Sequence, residues 1–314
     1  MKLKTFKLGG VHPPENKLSA DVPIQKLGLP KQVSILMSQH LGAPAVPVVK
    51  KGDAVKVGTL IGEKAKSFIT ANIHSSVSGT VLKVDDVLDA SGYRKKAVII
   101  KVDGDEWDES IDRSPDLVKE ITMESGDIVK KLEEKGIVGL GGATFPAHIK
   151  YMIPDDKKAD YLIINGVECE PYLTSDHRLM LEKADEIMVG IRIMMKAGKV
   201  DKALVGIEAN KPDAIEHMTA TAKNYPGIEI VPLKVQYPQG AEKQLIKALV
   251  NREIPSGKLP LDVGCIVNNV GTAFAIYEAV QKNKPLIERV VTLTGKRISK
   301  RGNFLARVGV PAST

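Results

Sequence analysis

The hydrophobic pattern of the chain changes near residue 117. Before it, apolar residues come in short runs with branched side chains at alternate positions, at 33–37, 45–49, 54–62, 78–84 and 96–102. Glycine recurs between these runs, and the spacing predicts a small β-sandwich or barrel. After residue 117 strands and helices alternate. A helix is predicted over 127–135, with Ile128, Val129 and Leu132 on one face and Gly136 placed to end it. Strands are predicted at 161–164, 203–207, 228–233 and 265–267. The intervening helices are predicted at 176–197, 212–223, 242–249 and 272–280. This alternation predicts an α/β domain with a mainly parallel sheet. Met180, Met188, Met194 and Met195 fall at helical spacing and read as core. From Arg289 the pattern is β-like again.

Four regions follow: an extended arm over 1–28, a β-domain over 29–115, the α/β domain over 116–285, and the opening of a further small β-domain over 286–314, cut off at the last residue. Paired glycines and prolines at 9–14 keep the arm out of helix, and His12 reads as a structural hydrogen-bonder there.

Composition narrows the function. The formal charge of +7 is spread along the chain, which suits a solvated basic surface or docking beside anionic lipid or an acidic partner. Aromatic residues are 4% of the chain and interleave with no basic patch, which argues against nucleic-acid binding. The two cysteines, Cys169 and Cys265, build neither a disulfide framework nor a metal or cluster site, and no metal ligand set is expected. No apolar run approaches the roughly 20 residues of a membrane span. A cytoplasmic protein is expected.

Chemistry concentrates in loops. Gly139-Leu140-Gly141-Gly142-Ala143-Thr144-Phe145-Pro146-Ala147-His148-Ile149-Lys150 offers close backbone approach, free N–H groups, an aromatic face and a cation; His148 reads as a loop surface residue. Asn165-Gly166-Val167-Glu168-Cys169-Glu170-Pro171 follows a predicted strand. In extended backbone Glu168 and Glu170 share a face. They suit a metal, acid–base work or ribose hydroxyls, or form only a solvated acidic turn. Gly240 and Glu242 open a helix, a ready anion site or plain capping. Asn268, Asn269 and Thr272 end a strand and open another helix, as a polar head-group site or an ordinary turn. No nucleophile sits beside a base, so no catalytic side chain is assigned. Such loops suit an enzyme whose chemistry belongs to a bound cofactor.

Two resemblances sharpen this. Gly52-Asp53-x-Val55-x-x-Gly58-x-x-Ile61 and Val77-Ser78-Gly79-Thr80-Val81 resemble a lipoyl-like barrel-sandwich hybrid, though 68–74 lacks the carrier lysine, so no covalent modification is expected. The glycine stretch resembles the flavin loop of the FMN- and NADH-binding subunit of respiratory complex I. The Asn165 and Asn268 motifs are similar to its Asn-Ala-Asp-Glu-x-Glu-Pro and Asn-Asn-Val-Glu-Thr. The nearer likeness is to the RnfC family, whose members are subunits of Rnf electron-transport complexes. It shares Gly9-Gly10-Val11-His12-Pro13-Pro14 and the run from Val167 to Arg178, and extends over essentially the whole chain.

The resemblance implies an oxidoreductase subunit that exchanges hydride between NAD(H) and FMN and single electrons with iron–sulfur clusters. Gly139, Gly141 and Gly142 would approach FMN, with Lys150 near its phosphate or ring edge. Asn165, Asn268, Asn269 and Thr272 would hold its polar edge and phosphate. Glu170 and Glu242 would contact the nicotinamide nucleotide and Phe145 would stack on a ring; Glu168 and Gly240 belong to the same cofactor-binding set. Thr144, Val167 and Ala241 depart from the complex I pattern, so NADH geometry follows less directly than flavin binding. The likeness further implies other Rnf subunits as partners, ferredoxin reached through the complex, and a peripheral place on the cytoplasmic face of the membrane. It implies that the 286–314 segment begins a β-grasp-like domain and that 4Fe-4S clusters belong to a region this chain lacks, the chain being expected as a piece of a longer one. The alternative is a non-catalytic scaffold or quinone-binding subunit like that of the sodium-translocating NADH:quinone reductase.

Overall fold

The arm carries a short strand, β1 (Ile24–Lys26), before the β-domain begins. Seven strands then form two small sheets. β2 (Gln32–Leu36), β3 (Val46–Pro47), β4 (Ala54–Val55), β5 (Leu60–Glu63), β6 (Ile73–His74), β7 (Ser78–Leu88) and β8 (Arg94–Gly104) pair antiparallel, in the orders β2-β8-β7-β4 and β3-β5-β6. Inward residues of both sheets share one core: Val33 and Ile35 of β2, Ile61, Ile73, Val81, Val98 and Ile100. The expected strand over 54–62 is two strands in different sheets. Gly58, at φ +97°, turns the chain between them, and Thr59 Oγ1 accepts from Lys56 N–H at 3.0 Å. The coordinates are a computed structural model describing residues 3–312; residues 1–2 and 313–314, the tips of the expected arm and C-terminal segment, lie outside the described residues.

The α/β domain opens with α1 (Ser125–Glu134), ended by Gly136 at φ +64°. It continues through β9 (Tyr161–Asn165), α2 (Ser175–Glu182), α3 (Ala184–Gly198), β10 (Ala203–Glu208), α4 (Pro212–Ala222), β11 (Ile228–Leu233), α5 (Glu242–Val250), β12 (Cys265–Asn269) and α6 (Val270–Gln281). All four strands are parallel, in the order β11-β10-β9-β12. Side chains alternate between two buried layers. Leu162, Ile164, Ala203, Val205 and Ile207 meet α3, α4 and α6, while Ile163 and Leu204 meet Leu245, Ile246 and Leu249 of α5. The four methionines expected as core are buried there.

The helix expected over 176–197 breaks at Lys183, whose φ/ψ of −136°/34° is not helical. No proline or glycine marks the break. The Glu182 carboxylate accepts from Ile24 N–H at 3.0 Å and from Arg178, which holds the end of α2 against β1, whereas α3 packs beneath the parallel sheet. Tertiary anchoring overrides a continuous helical period here.

β13 (Glu288–Leu293) and β14 (Gly302–Arg307) form an antiparallel pair, and β1 adds to β14 in parallel, Ile24 opposite Asn303. A strand of the N-terminal arm thus completes a three-stranded sheet with the C-terminal pair. Asn303, fully buried, donates to Ser19 O (3.0 Å) and accepts from Thr174 and Thr292 (2.9 Å each). His12, expected to serve as a hydrogen-bonder, is exposed and makes none among the described residues.

Candidate cofactor site

The four predicted loops lie at the carboxyl ends of the parallel strands, where α/β sheets bind ligands. The glycine stretch is a loop closed at its base, with Gly139 N–H donating to Phe145 O and Ala147 N–H to Ile137 O, both at 2.9 Å. Leu140 N–H donates to Thr272 Oγ1 in the first turn of α6 (2.9 Å), and Arg289 of β13 donates to Leu140 O (3.0 Å). Gly141 rests on Asn269: a Cβ there would stand 2.8 Å from Asn269 Cβ. Between these anchors the amides of Gly141, Gly142 and Ala143 have no partner among the described residues, and all three residues are exposed. Phe145 is half-buried beside them. Thr144, where the complex I pattern has glycine, sits at φ +50°, a left-handed conformation that explains the glycine preference.

The residues after the loop wind into a short 3-10 helix, Ala147–Tyr151. It carries Lys150 to the middle of β12, where Nζ donates to Val267 O at 2.6 Å. Burial lowers the Lys150 pKa, opposed by the Glu242 carboxylate nearby. Glu242 itself is exposed at the start of α5. His148, expected on the surface, is 4% exposed, and burial lowers its pKa. The 3-10 turn, not foreseen from the glycine content, folds it inward.

The two asparagines divide the work. Asn268 donates to the Tyr151 hydroxyl (2.8 Å), and its buried Oδ1 has no partner. Asn269 caps α6, accepting from Gly271 N–H (2.8 Å) and Thr272 N–H (3.4 Å), and donates to Asp176 Oδ2 (2.6 Å) and Asn165 O (3.3 Å). Asn165 in turn donates to Gly240 O at 2.8 Å and accepts from Val167 N–H. The Cys169 thiol accepts from Gly240 N–H at 3.4 Å. All four loops are therefore joined by hydrogen bonds.

Glu168 and Glu170 do not share a face. Glu168 adopts φ +47°, so the segment is not extended. Its carboxylate turns to the start of α2, accepting from Asp176 N–H (2.7 Å), His177 N–H (3.3 Å) and Ser175 Oγ (3.3 Å). A carboxylate at a helix N-terminus is favourable by dipole and by capping. Glu170 is exposed, and its charge raises the pKa of the facing Tyr237 phenol. Between Glu168 and Asn269 lies Asp176, a residue that sequence reasoning did not single out. Burial, with the Glu168 charge beside it, pushes the Asp176 carboxyl up to about 7. Lys211 was likewise missed. It is 2% exposed and donates to Val167 O at 2.8 Å, with Glu208 (1% exposed) at 3.8 Å. Asp176 lies inside the 167–178 motif, which is a signal; Lys211 and Arg289 carry none, because the loop carbonyls they hold are remote in sequence.

A cavity of about 220 Å³ opens beside these loops, lined by Val11, Glu15, Cys169, Glu208, Gln236 and Tyr237. One of about 710 Å³ sits at the amino ends of β10 and β11, against Arg192, Tyr225 and Gly227, and holds none of the predicted residues. Among the described residues no group of three metal-ligating side chains occurs, and no helix is long and apolar enough to cross a membrane.

The donor set fits a flat, phosphorylated cofactor: three uncommitted exposed amides in a glycine loop, a cation at the loop's end, and an orphaned buried acceptor on Asn268. Comparison with known proteins agrees with the fold. Residues 132–278 match the Nuo51 FMN-binding domain and residues 4–105 the RnfC barrel-sandwich hybrid domain. The chain is 48% identical over 311 residues to a subunit of the proton-translocating ferredoxin:NAD(+) oxidoreductase complex of Clostridium ljungdahlii, covering 98% of this chain and 66% of the relative. It is 46% identical to the counterpart in the Na(+)-translocating complex of Acetobacterium woodii, over 99% of this chain and 70% of that one. The corresponding subunit of the ion-translocating oxidoreductase complex of Rhodobacter capsulatus is 40% identical over 99% of this chain and 60% of its own. The chain thus spans about two thirds of the length of these relatives. Among solved structures, NAD+-reducing NiFe hydrogenase in the air-oxidized state shares the fold, with a TM-score of 0.53 at 20% identity, over 60% of this chain and 37% of that one.

Proposed function

The chain belongs to the RnfC family of ion-translocating ferredoxin:NAD(+) oxidoreductase complex subunits, and from that premise we propose that it is the FMN- and NAD(H)-binding part of such a subunit. FMN, when bound, supplies the chemistry, taking up two electrons with hydride and releasing them singly. The residues of the chain bind and orient. Gly139, Gly141 and Gly142 keep the loop free of side chains, and the amides of 141–143 bind phosphate or the ring's carbonyl edge. Lys150, fixed on Val267 O, supplies positive charge. Asn268 Oδ1 accepts from the cofactor's polar edge. Asn269, Thr272 and Asn165 act one step back, locking the glycine loop to α6 and to the Gly240 loop. Phe145, Glu170 and Glu242 line the nicotinamide side. The single-electron partners of the flavin would be 4Fe-4S clusters, for which the described residues offer no ligand set. The protein sits on the cytoplasmic face of the membrane against other subunits of the complex, with ferredoxin served through them.

The observation that carries this reading is the set of three uncommitted amides at 141–143, in a loop whose Gly141 packs on Asn269. Titration of the purified protein with FMN, followed by flavin absorbance and fluorescence, is expected to show saturable one-to-one binding. Anaerobic NADH is then expected to bleach the bound flavin. Absence of saturable FMN binding would overturn the proposal.

A further inference from the structure

The N-terminal arm reaches the Glu168–Leu173 loop through one side chain. Lys17 Nζ donates to Glu168 O at 2.8 Å, Glu170 O at 2.9 Å and Leu173 O at 2.7 Å. An ammonium has three N–H donors and no acceptor, and here each donor meets one carbonyl of the same loop. All three bonds of Lys17 Nζ go to backbone carbonyls and none to a carboxylate. The arm adds three further ties on either side. Tyr172 N–H donates to Glu15 O (2.9 Å), Asn210 donates to the Glu15 carboxylate (2.9 Å), and Ser19 Oγ meets Thr174 Oγ1 (2.7 Å). Lys211 takes the next carbonyl of the loop, Val167 O.

The carbonyls of 167, 168, 170 and 173 therefore all point at two lysines. Because a peptide unit is planar and trans, the N–H groups of Glu168 and Cys169 are turned away from those lysines. A loop with Glu168 at φ +47° and Tyr172 at φ +71° has no ladder of its own to hold this arrangement. The ammonium replaces that ladder.

We propose that Lys17 is a positioning residue for the candidate cofactor site: its ammonium serves as a built-in cation that folds the 168–173 loop and so sets where Glu170 stands. This rests on the reading of Glu170 as a nicotinamide contact only for its kinetic consequence; the folding of the loop around an ammonium does not.

The test uses two substitutions. Lys17→Met keeps most of the stem and removes the charge, and Lys17→Ala removes the stem as well. Hydrogen–deuterium exchange of the 168–174 peptide, measured without cofactor, is expected to speed up about tenfold in both, with the rest of the chain unchanged. In Lys17→Ala, propylammonium chloride is expected to restore protection, and sodium or tetramethylammonium chloride at equal ionic strength is not, since neither brings three N–H donors. Lys17→Met, whose stem still occupies the space that propylammonium would take, is not rescued. With NADH as reductant of bound FMN, both variants are expected to raise KM about tenfold with kcat nearly unchanged. Unchanged exchange in both variants, or rescue by sodium as good as by propylammonium, overturns the proposal. Should the chain bind no flavin, exchange and rescue still decide the role of Lys17, and only the kinetic arm falls with the flavin reading.

Discussion

Gly141→Ala tests the glycine loop where its packing is tightest. The added methyl would lie 2.8 Å from Asn269 Cβ and 3.1 Å from its Cγ, against about 3.5–4.0 Å for carbon atoms in contact. Asn269 Cβ is set by the backbone at the end of β12 and cannot swing aside. Its side chain is held as well, by the α6 cap and by Asp176 at 2.6 Å. The loop must lift instead, which strains its bonds at Leu140 to Thr272 and Arg289. Overpacking of this kind costs about 1–3 kcal/mol, and one hydrogen bond lost adds about 1 kcal/mol. Urea unfolding followed by circular dichroism is expected to show a loss of about 2–4 kcal/mol, and FMN titration a Kd at least tenfold weaker, by the conversion of about 1.4 kcal/mol per decade. Gly142→Ala isolates the backbone contribution: its added methyl meets no atom within 4 Å, so only the backbone at φ +156° resists it, at about 1–3 kcal/mol. Equal stability and equal FMN affinity of Gly141→Ala and the wild type would refute the packing argument.

Asp176→Asn reports on the buried carboxyl. The folded chain holds this proton up to about pH 7, whereas the unfolded carboxyl releases it near 3.8, so the residue's contribution to stability falls as pH climbs between those values. The variant is expected to match the wild type near pH 4 and to exceed it in stability at pH 8, by chemical denaturation at both. Lys211→Met strands Glu208 in the interior and is expected to cost about 3–5 kcal/mol in urea unfolding, with Lys211→Met/Glu208→Gln recovering most of it. Arg289→Ala removes one exposed tie to Leu140 O; stability is expected to change by no more than about 1 kcal/mol, while FMN affinity falls several-fold in the same titration used for Gly141.

Much of the fold was legible in the pattern. Period-two runs before residue 117 and strand–helix alternation after it lead to the two small sheets and the parallel sheet, because burial of one face or both leaves its period in the residues. The break at Lys183 was not legible, since what stops the helix is Glu182 bonding to Ile24, a partner far away in sequence. Nor was the parallel pairing of Ile24–Lys26 with β14, which joins the arm to the C-terminal pair in one sheet.

The candidate site divides the same way. Glycines at 139, 141 and 142, the asparagines after two strands and the lysine at 150 are residue types whose chemistry can be read one at a time, and the sequence alone was enough to select those loops. Their division of labour was a tertiary matter. Asn268 keeps a free acceptor while Asn269 commits its amide to a helix cap, and Glu168 turns inward while Glu170 stays exposed. Those outcomes depend on α2, α6 and the arm meeting at one end of the sheet. A hydrogen bond has direction and needs its partner in place, and only the folded chain brings Lys17, Asp176, Lys211 and Arg289 to the loops they hold.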